Sequence, residues 1–245
     1  MKQKTEWFVD WFDSPYYHIL YGHRDHSEAE FFLRNLVDFY KPAPDAKIID
    51  LACGKGRHSI FLNSLGFDVT GVDLSAQSIL AAKQFENKLL RFEVGDLRTL
   101  SLSDTYQYAL NLFTSFGYFE DLETDVKVLQ NIHALLKPKG IFLIDFFNAH
   151  KVINELVRTE TITREGINFH ITREVVSGKI RKTISFEDLG KKHQYLESVQ
   201  ALSMQDFEVL FAQSGFNLLN CFGNYQLDSF QVEQSDRLIL IGQKA

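Results

Sequence analysis

Residues 48–58 constrain this chain most, because they predict a buried strand, a tight turn and the start of a helix in immediate succession. Asp50 ends the strand, and residues 57–65 are predicted to form the helix. The loop between them contains three small residues that let the backbone turn sharply and approach a ligand closely, namely Ala52, Gly54 and Gly56. Backbone N–H groups at such a helix start bind ligands readily, so the sequence predicts a ligand at this turn.

The glycine spacing and Asp50 indicate which kind of ligand this turn holds. A dinucleotide fingerprint needs three glycines, G-x-G-x-x-G, but the third position here is Ser59. A carboxylate at Asp50 would repel a phosphate, whereas it suits the α-ammonium of an amino-acid moiety, held directly or through water. S-adenosylmethionine (SAM) has that group, a cationic sulfonium and no phosphate. A nicotinamide oxidoreductase is therefore disfavoured, and a turn without any ligand remains the alternative.

Composition and charge set the broad class. The 245 residues are 45% hydrophobic, enough for one sizeable α/β domain, and a net charge of -6 is unlike that of a basic nucleic-acid-binding domain. Two cysteines without metal-ligand spacing argue against a disulfide framework and against a metal site. No apolar run is long enough to span a bilayer, and residues 1–7 lack a signal-peptide core. We therefore expect a soluble, cytoplasmic, metal-independent protein that binds neither nucleic acid nor membrane.

The order of elements in residues 45–158 predicts an α/β core domain. Strands are predicted at 46–50, 67–73, 90–94, 106–112 and 141–145, and helices at 57–65, 75–88 and 121–136. Such alternation predicts a parallel sheet covered on both faces, with ligands bound beyond the carboxyl ends of the strands.

The segment before this core, residues 1–44, is predicted to be a helical cap. Its first 26 residues hold too many large aromatic rings for a free tail. Ser27 and Glu30 then have the spacing of a capping box for a helix that ends before Pro42. We expect this segment to fold over the core as a lid.

The pattern changes at residues 159–201, where polar and apolar residues alternate between turn signals such as Ser177-Gly178. This predicts three antiparallel strands inserted late in the fold, with an edge that could pair two copies into a homodimer. In residues 202–245, a capping box of Ser203 and Asp206 predicts a helix, and two strands follow. These strands are expected to complete the core sheet.

Acidic residues end three successive strands of the predicted core. Asp50 ends the first strand, Asp73 the second and Asp96 the third. An acid at the second strand end can accept both ribose hydroxyls of a nucleoside. An acid at the third can accept the adenine amine, while Leu74 and Leu97 could enclose the adenine ring. The three acids together predict a nucleoside site beside the glycine loop.

The sequence resembles the class I SAM-dependent methyltransferases over roughly residues 45–245. The matching motifs are Asp50 to Gly56 with Ala52 in place of the usual glycine, the ribose-binding acid Asp73, the adenine-binding Gly95-Asp96-Leu97, and Leu135 to Gly140, which matches L-K-P-G-G with Lys139 in place of glycine. The resemblance implies a Rossmann-like α/β fold with a seven-stranded, mostly parallel sheet and an antiparallel last strand. It also implies SAM as the cofactor.

A narrower resemblance concerns residues 111–118, which follow the fourth strand. Similar stretches occur in bacterial enzymes that methylate small amines, including sugar N-methyltransferases, which also carry an antiparallel insertion after the fifth strand. A stretch like Glu197 to Gln200 occurs there too, usually ending in arginine, and Gln200 departs from that pattern. The resemblance implies a small-molecule acceptor, and we add Asn111 and Phe113 to the expected cofactor site.

Catalytic groups are expected from the cap and from the strand ends. His18 is the preferred general base because the pKa of histidine lies near working pH, and Tyr17 and Asp145 are further catalytic candidates. Tyr17 or Tyr21 could hold the cofactor carboxylate through its hydroxyl. The full expected cofactor site is Tyr17, Tyr21, Asp50, Ala52, Cys53, Gly54, Gly56, Asp73, Leu74, Asp96, Leu97, Asn111 and Phe113.

The sequence thus predicts an enzyme that moves a methyl group from SAM to a nitrogen or oxygen of a small molecule by in-line displacement. Two alternatives stay open. One is a protein that binds SAM or its product S-adenosylhomocysteine (SAH) without catalysis. The other is a methyltransferase of the same fold that acts on protein or RNA, although the net charge of -6 counts against RNA.

Overall fold

The computed structural model describes residues 6–22 and 26–245, without the side chain of His26, and these residues form two β-sheets with helices packed against them. The helices are α1 (Trp7–Phe12), α2 (Pro15–Tyr21), α3 (His26–Tyr40), α4 (Arg57–Ser64), α5 (Ala76–Ala82), α6 (Leu122–Leu135), α7 (Ala149–Asn154) and α8 (Met204–Gln213). The strands are β1 (Lys47–Leu51), β2 (Asp68–Asp73), β3 (Leu90–Val94), β4 (Tyr106–Asn111), β5 (Leu136–Phe147), β6 (Thr159–Arg164), β7 (Ile167–Val176), β8 (Lys179–Asp188), β9 (Lys191–Gln200), β10 (Phe216–Phe222) and β11 (Arg237–Lys244). Within these residues no helix is both long and apolar enough to cross a membrane.

The first sheet has seven strands in the order β10-β11-β5-β4-β1-β2-β3. The neighbours from β5 to β3 pair in parallel, and β11 runs antiparallel between β5 and β10. This confirms the predicted Rossmann-like α/β fold with an antiparallel last strand. Apolar clusters cover both faces of the sheet, as its largely buried parallel strands require. Parallel strands end at one edge, so the residues that follow β1 to β5 share one side of the domain.

Local signals fixed some helix ends and missed others. The capping box of Ser203 and Asp206 is confirmed at the start of α8. Ser27 instead lies within the first turn of α3, which begins one residue earlier. The helix predicted to reach residue 88 ends at Ala82, followed by a short 3₁₀ turn. The chain beyond that turn lies against the edge strand β3, where Glu86 accepts a hydrogen bond of 2.8 Å from the backbone N–H of Phe92.

The late insertion holds four antiparallel strands, β6 to β9, so the prediction of three strands is wrong. The additional strand, β6, pairs with β7 from Thr159 opposite Thr172 to Arg164 opposite Ile167. Its sequence, TETITR, contains a single apolar residue and so lacks the alternation that marks a half-buried strand. Pairing of two protein copies through this second sheet stays a prediction.

The segment predicted as one cap, residues 1–44, divides between the two sheets; residues 1–5 and 23–25 lie outside the described part. Helices α1 and α2 pack on the second sheet, where Trp11 and Leu20 join the apolar side chains of Phe169 and Ile184. Helix α3 packs instead on the first sheet. The aromatic N-terminal segment therefore packs on the insertion, and α1 also contacts the core directly at Tyr118 and Phe119.

A buried polar pair joins β9 to the core. Gln200 Nε2 donates to Asp125 Oδ2 at 2.6 Å, and the other oxygen of Asp125 has no partner among the described residues. Burial raises the pKa of Asp125 to about 7, although the hydrogen bond from Gln200 opposes the shift. The folded protein therefore holds a proton on this carboxyl at pH values where the unfolded chain has lost it.

We expect Asp125→Asn to stabilise the protein increasingly as pH rises from about 5 to about 8. Because the pKa of Asp125 is raised in the folded state, the wild type loses about 2 kcal/mol of stability between pH 5 and pH 8. Asparagine does not titrate, so the variant does not lose this stability. Urea unfolding at both pH values measures the difference. Asp38→Asn, at an exposed position of α3, is the matched control and should show no such trend. Parallel pH profiles for Asp125→Asn and the wild type would contradict the assignment.

Candidate active site

A cavity of about 990 Å³ lies beyond the carboxyl ends of β1 to β4, between these strand ends, helices α1 and α2, and the second sheet. Its volume is at the upper end for small-molecule sites, so it has room for two ligands side by side. Most of the predicted site residues line it: Tyr17, His18, Tyr21, Ala52, Cys53, Gly54, Asp73, Leu74, Asp96, Leu97 and Phe113. Four do not, namely Asp50, Gly56, Asn111 and Asp145.

The glycine loop after β1 has the left-handed backbone that its sequence implied. Ala52, Gly54 and Gly56 have φ values of 58°, 56° and 83°. This conformation costs an L-residue such as Ala52 about 1–2 kcal/mol. A side chain added at Gly54 would meet no atom within 4 Å, whereas one at Gly56 would collide with Phe92 at 2.5 Å. Gly54 therefore leaves open space beside the loop, and Gly56 allows α4 to pack against β3.

Asp50 was expected to hold the ammonium of the cofactor directly or through water, and Asn111 was expected in the cofactor site. The structure places both behind the cavity wall, fully or almost fully buried, so both cofactor roles stay predictions. Asp50 accepts a hydrogen bond of 2.6 Å from the hydroxyl of Ser59, the residue that breaks the dinucleotide fingerprint. Burial raises the pKa of Asp50 to about 7, against the effect of that hydrogen bond. Asn111 Nδ2 donates to the carbonyls of Leu51 and Ser115, each at 3.2 Å. Both side chains thus fix the strand ends that carry the cavity wall.

Asp73 is the acid best placed to bind a ligand. Its Oδ2 accepts the N–H of Gly54 at 2.7 Å, and its Oδ1 accepts the N–H of Ser75 at 2.8 Å. Burial raises its pKa, the two backbone hydrogen bonds oppose this, and nearby Asp13 adds to the rise. Each carboxylate oxygen keeps further acceptor capacity. Asp73 can therefore accept two hydroxyl groups from the cavity while it holds the glycine loop.

Asp96 has a partner that the sequence did not indicate. Arg98 clasps its carboxylate, with Nη2 at 2.6 Å from Oδ2 and the backbone N–H at 2.9 Å from Oδ1. Burial would raise the pKa of Asp96, but Arg98 brings it below its ordinary value. Arg98 Nη1 also donates to Glu6 at 2.7 Å, and its guanidinium lies 5.2 Å from the ring centre of Phe119. The acid at the end of β3 is thus linked to the N-terminal segment.

Helix α1 is fastened at both ends to the loops that hold the predicted cofactor acids. Glu6, just before the helix, pairs with Arg98 after β3. Asp13, just after the helix, accepts a hydrogen bond from the hydroxyl of Ser75 after β2. Helix α1 therefore lies over the nucleoside end of the predicted site, and its action as part of a lid stays a prediction.

His18, the preferred general base, lies on α2, is half-buried and lines the cavity. Burial lowers its pKa, the charge of Lys55 lowers it further, and Asp13 opposes the shift. The imidazole is therefore neutral at pH 7 and can accept a proton. The ring of Tyr17 lies 5.4 Å from that of His18. The catalytic roles of His18 and Tyr17 stay predictions.

The hydroxyl of Tyr21 is directed to the second sheet. It donates to Glu197 Oε1 at 2.7 Å and accepts a hydrogen bond from Lys182. Lys182 Nζ also lies 3.5 Å from Glu197 Oε2. All three residues line the cavity. The predicted role of Tyr21 is to bind the cofactor carboxylate through its hydroxyl. That hydroxyl already makes hydrogen bonds with Glu197 and Lys182 of the insertion, so it would have to share them with the cofactor.

Asp145, a predicted catalytic residue, is fully buried and lies off the cavity wall. Its carboxylate accepts hydrogen bonds from Arg237 Nε at 2.7 Å, from the backbone N–H of Phe113 at 2.9 Å and from the hydroxyl of Tyr225 at 3.2 Å. These three donors all line the cavity. Asp145 is therefore placed to position these three cavity residues, and its catalytic role stays a prediction. No motif in the sequence had marked Arg237 or Tyr225.

Comparisons of sequence and of fold both find methyltransferases. A family model described as "Methyltransferase domain" matches residues 42–201. Glycine/sarcosine N-methyltransferase of Aphanothece halophytica is 28% identical over 90% of this chain and 83% of its own length. A dTDP-3-amino-3,4,6-trideoxy-alpha-D-glucopyranose N,N-dimethyltransferase of Streptomyces venezuelae is 22% identical over 71% of this chain and 77% of its own length. The solved structure of a SAM-dependent methyltransferase from Clostridium acetobutylicum superposes with a TM-score of 0.79 at 19% identity, covering 93% of this chain and 95% of that one.

Proposed function

Because this chain belongs to the methyltransferase family and uses SAM as its methyl donor, we propose that it methylates the nitrogen atom of a small amine. The observation that supports this proposal is the size of the cavity, about 990 Å³, together with its lining from two parts of the fold. We assign a cofactor half to the glycine loop, Asp73 and Asp96, and an acceptor half to α2, the second sheet and Arg237. A cofactor on the first half leaves the second half for an acceptor.

The residues of the first half fit SAM. Asp73 has acceptor capacity for the two ribose hydroxyls, and the open space beside Gly54 admits the amino-acid moiety. Leu74 and Leu97 line the cavity next to the two acids and would enclose the adenine. The carboxylates of this half also suit a ligand that carries positive charge.

The second half supplies what an amine acceptor needs. Aromatic side chains line the cavity, among them Tyr17, Tyr21 and Tyr225, and aromatic faces attract cationic groups. Bound SAM supplies a methyl group that its positive sulfur has already activated. An ammonium acceptor must lose a proton before its nitrogen can attack, and neutral His18 is the proposed base. The lid holds the acceptor in line and excludes water.

The names of two relatives support nitrogen as the acceptor atom, since both the glycine/sarcosine enzyme and the aminosugar enzyme are N-methyltransferases. The acceptors of these relatives differ greatly in size. They therefore support the reacting atom and leave the identity of the acceptor to experiment.

A panel assay tests the proposal. The purified full chain is incubated with SAM and with small amines, alcohols and phenols, and SAH and methylated products are identified by mass spectrometry. We expect N-methylated products, and we expect His18→Asn to lower the turnover number by about 100-fold without weakening SAM binding. Methylation of alcohols or phenols alone, or SAM binding without turnover on any acceptor, would contradict amine methylation.

A further inference from the structure

Arg237 begins β11 and lines the cavity, and the proposed methyl transfer gives it no task so far. Its guanidinium is held on one side only. Nε donates to Asp145 at 2.7 Å and Nη2 donates to the hydroxyl of Thr114 at 3.1 Å. No hydrogen bond of Nη1 is found in residues 6–22 or 26–245, and Arg237 lines the cavity. A partly buried guanidinium, with 20% of its side chain exposed, thus keeps unused N–H groups at the cavity wall.

The direction of Arg237 is fixed before any ligand arrives. Asp145 is fully buried and ties Arg237 to Phe113 and Tyr225 through one carboxylate. Phe113 and Thr114 both have positive φ, 57° and 64°, a strained backbone of the kind found at ligand sites. Their turn is held by Asp145 as well, since the backbone N–H of Thr114 donates to the Asp145 carbonyl at 2.8 Å. This network preorganises the guanidinium.

Arg237 lies on the half of the sheet away from the cofactor acids. Asp50 and Asp73 lie on β1 and β2, and Asp96 follows β3, whereas β4 and β5 separate β1 from β11. At about 4.8 Å between neighbouring strands, the start of β11 is on the order of 14 Å from the end of β1. Arg237 therefore lies on the side of the cavity away from the acids of the cofactor half.

Other cations of the acceptor half have their charged groups engaged. Arg173 and Lys182 are cross-strand neighbours on the second sheet, and both line the cavity. Arg173 pairs with Glu160, and Lys182 pairs with Glu197. Arg237 differs because Asp145, its hydrogen-bonded carboxylate, takes a single N–H, while Glu28 acts on the guanidinium only electrostatically among the described residues.

We propose that Arg237 binds a carboxylate of the acceptor, so that the preferred substrate is an amine that also carries an acid group. The planar N–H groups of Nη1 and Nη2 match the two oxygens of a carboxylate, a pairing that lysine cannot reproduce. Binding there would hold the acid end against β11 and leave the amine free to point toward the cofactor half. This inference rests on the proposed amine methylation.

Matched acceptor pairs test the inference, with glycine and glycinamide as the first probes. We expect kcat/KM to be at least about 100-fold higher for the acid, because a site built to hydrogen-bond one group rejects an analogue that lacks it. Arg237→Lys should raise KM for the acid by about 30-fold, leave the rate with the amide unchanged, and leave the Kd of SAM within about twofold. Arg91→Lys, an arginine paired with Asp104 at the opposite end of the sheet, is the control and should change none of these.

A measurement on the unaltered protein guards against misfolding of the variant. Acetate should compete with the acid acceptor, while acetamide should not. Equal turnover of acids and amides, or no inhibition by acetate, would overturn the inference and leave amine methylation standing. A weakened Kd for SAM in Arg237→Lys with an unchanged acceptor KM would also overturn it, since the carboxylate bound would then be that of the cofactor. No methylation of any amine would defeat both proposals.

Discussion

Asp73→Ala is expected to weaken the binding of SAM and SAH by about 100-fold or more, because it removes the acceptor for two hydroxyl groups in a buried site. The same change frees the backbone N–H groups of Gly54 and Ser75, which now donate to that carboxylate. Calorimetric titration with both adenosyl ligands measures the effect, and circular dichroism checks that the sheet is intact.

Asp68→Ala is the matched control for Asp73→Ala. Asp68 lies at the opposite end of the same strand, where its partly buried carboxylate pairs with Lys47 and Arg91. Because this end of the strand is remote from the cavity, the variant should bind SAM as the wild type does, and circular dichroism checks its fold as well. An Asp73→Ala protein that binds SAM within about threefold of wild type would show that the ribose lies elsewhere.

Trp11→Ala is expected to detach the predicted lid, formed by α1 and α2, from the second sheet. The free energy of unfolding of these helices and that sheet should fall by about 3–5 kcal/mol. The ring of Trp11 is fully buried and lies 4.5 Å from that of Tyr195, and its Nε1 donates to Glu197 at 2.7 Å. The position of His18 and the contacts at the two ends of α1, Glu6 with Arg98 and Asp13 with Ser75, depend on the packing of Trp11. We therefore expect turnover to fall by at least about tenfold.

The effect of Trp11→Ala can be followed by fluorescence. The chain has two tryptophans, so the variant keeps Trp7 as its only such reporter. The emission of Trp7 should shift to longer wavelength as α1 becomes hydrated, and the first unfolding transition in urea should move to lower concentration. Phe39→Ala removes an exposed ring from α3 and should leave both unchanged. Normal turnover in Trp11→Ala would show that the lid is not required.

Motifs that depend on local backbone geometry could be predicted from the sequence. Ala52 and Lys139 were noted as departures from positions where related sequences carry glycine, and both have left-handed φ values, 58° and 61°. The preference for glycine is therefore a demand of the backbone, which this chain meets at some energetic cost. The strand-end acids were predictable for the same reason, since a strand end in a parallel sheet fixes which edge a residue occupies.

Contacts between distant parts of the chain could not be predicted. Arg98 reaches Glu6, and Arg237 reaches Asp145, each across 92 residues and without any motif in the sequence. For the same reason Asp145 was expected on the cavity wall, since nothing local revealed the three donors that enclose it. Hydrophobic patterning likewise missed β6, which is stabilised by pairing with β7 and not by an apolar face of its own.

A crystal structure of the full chain with SAH would test the central claim most directly, namely that this cavity holds the cofactor beneath the lid. The expected result has the ribose hydroxyls within hydrogen-bond distance of Asp73 and the adenine between Leu74 and Leu97. The sulfur should face the half that contains His18 and Arg237. Density for SAH outside the cavity, or inside it without contact to Asp73, would contradict the account.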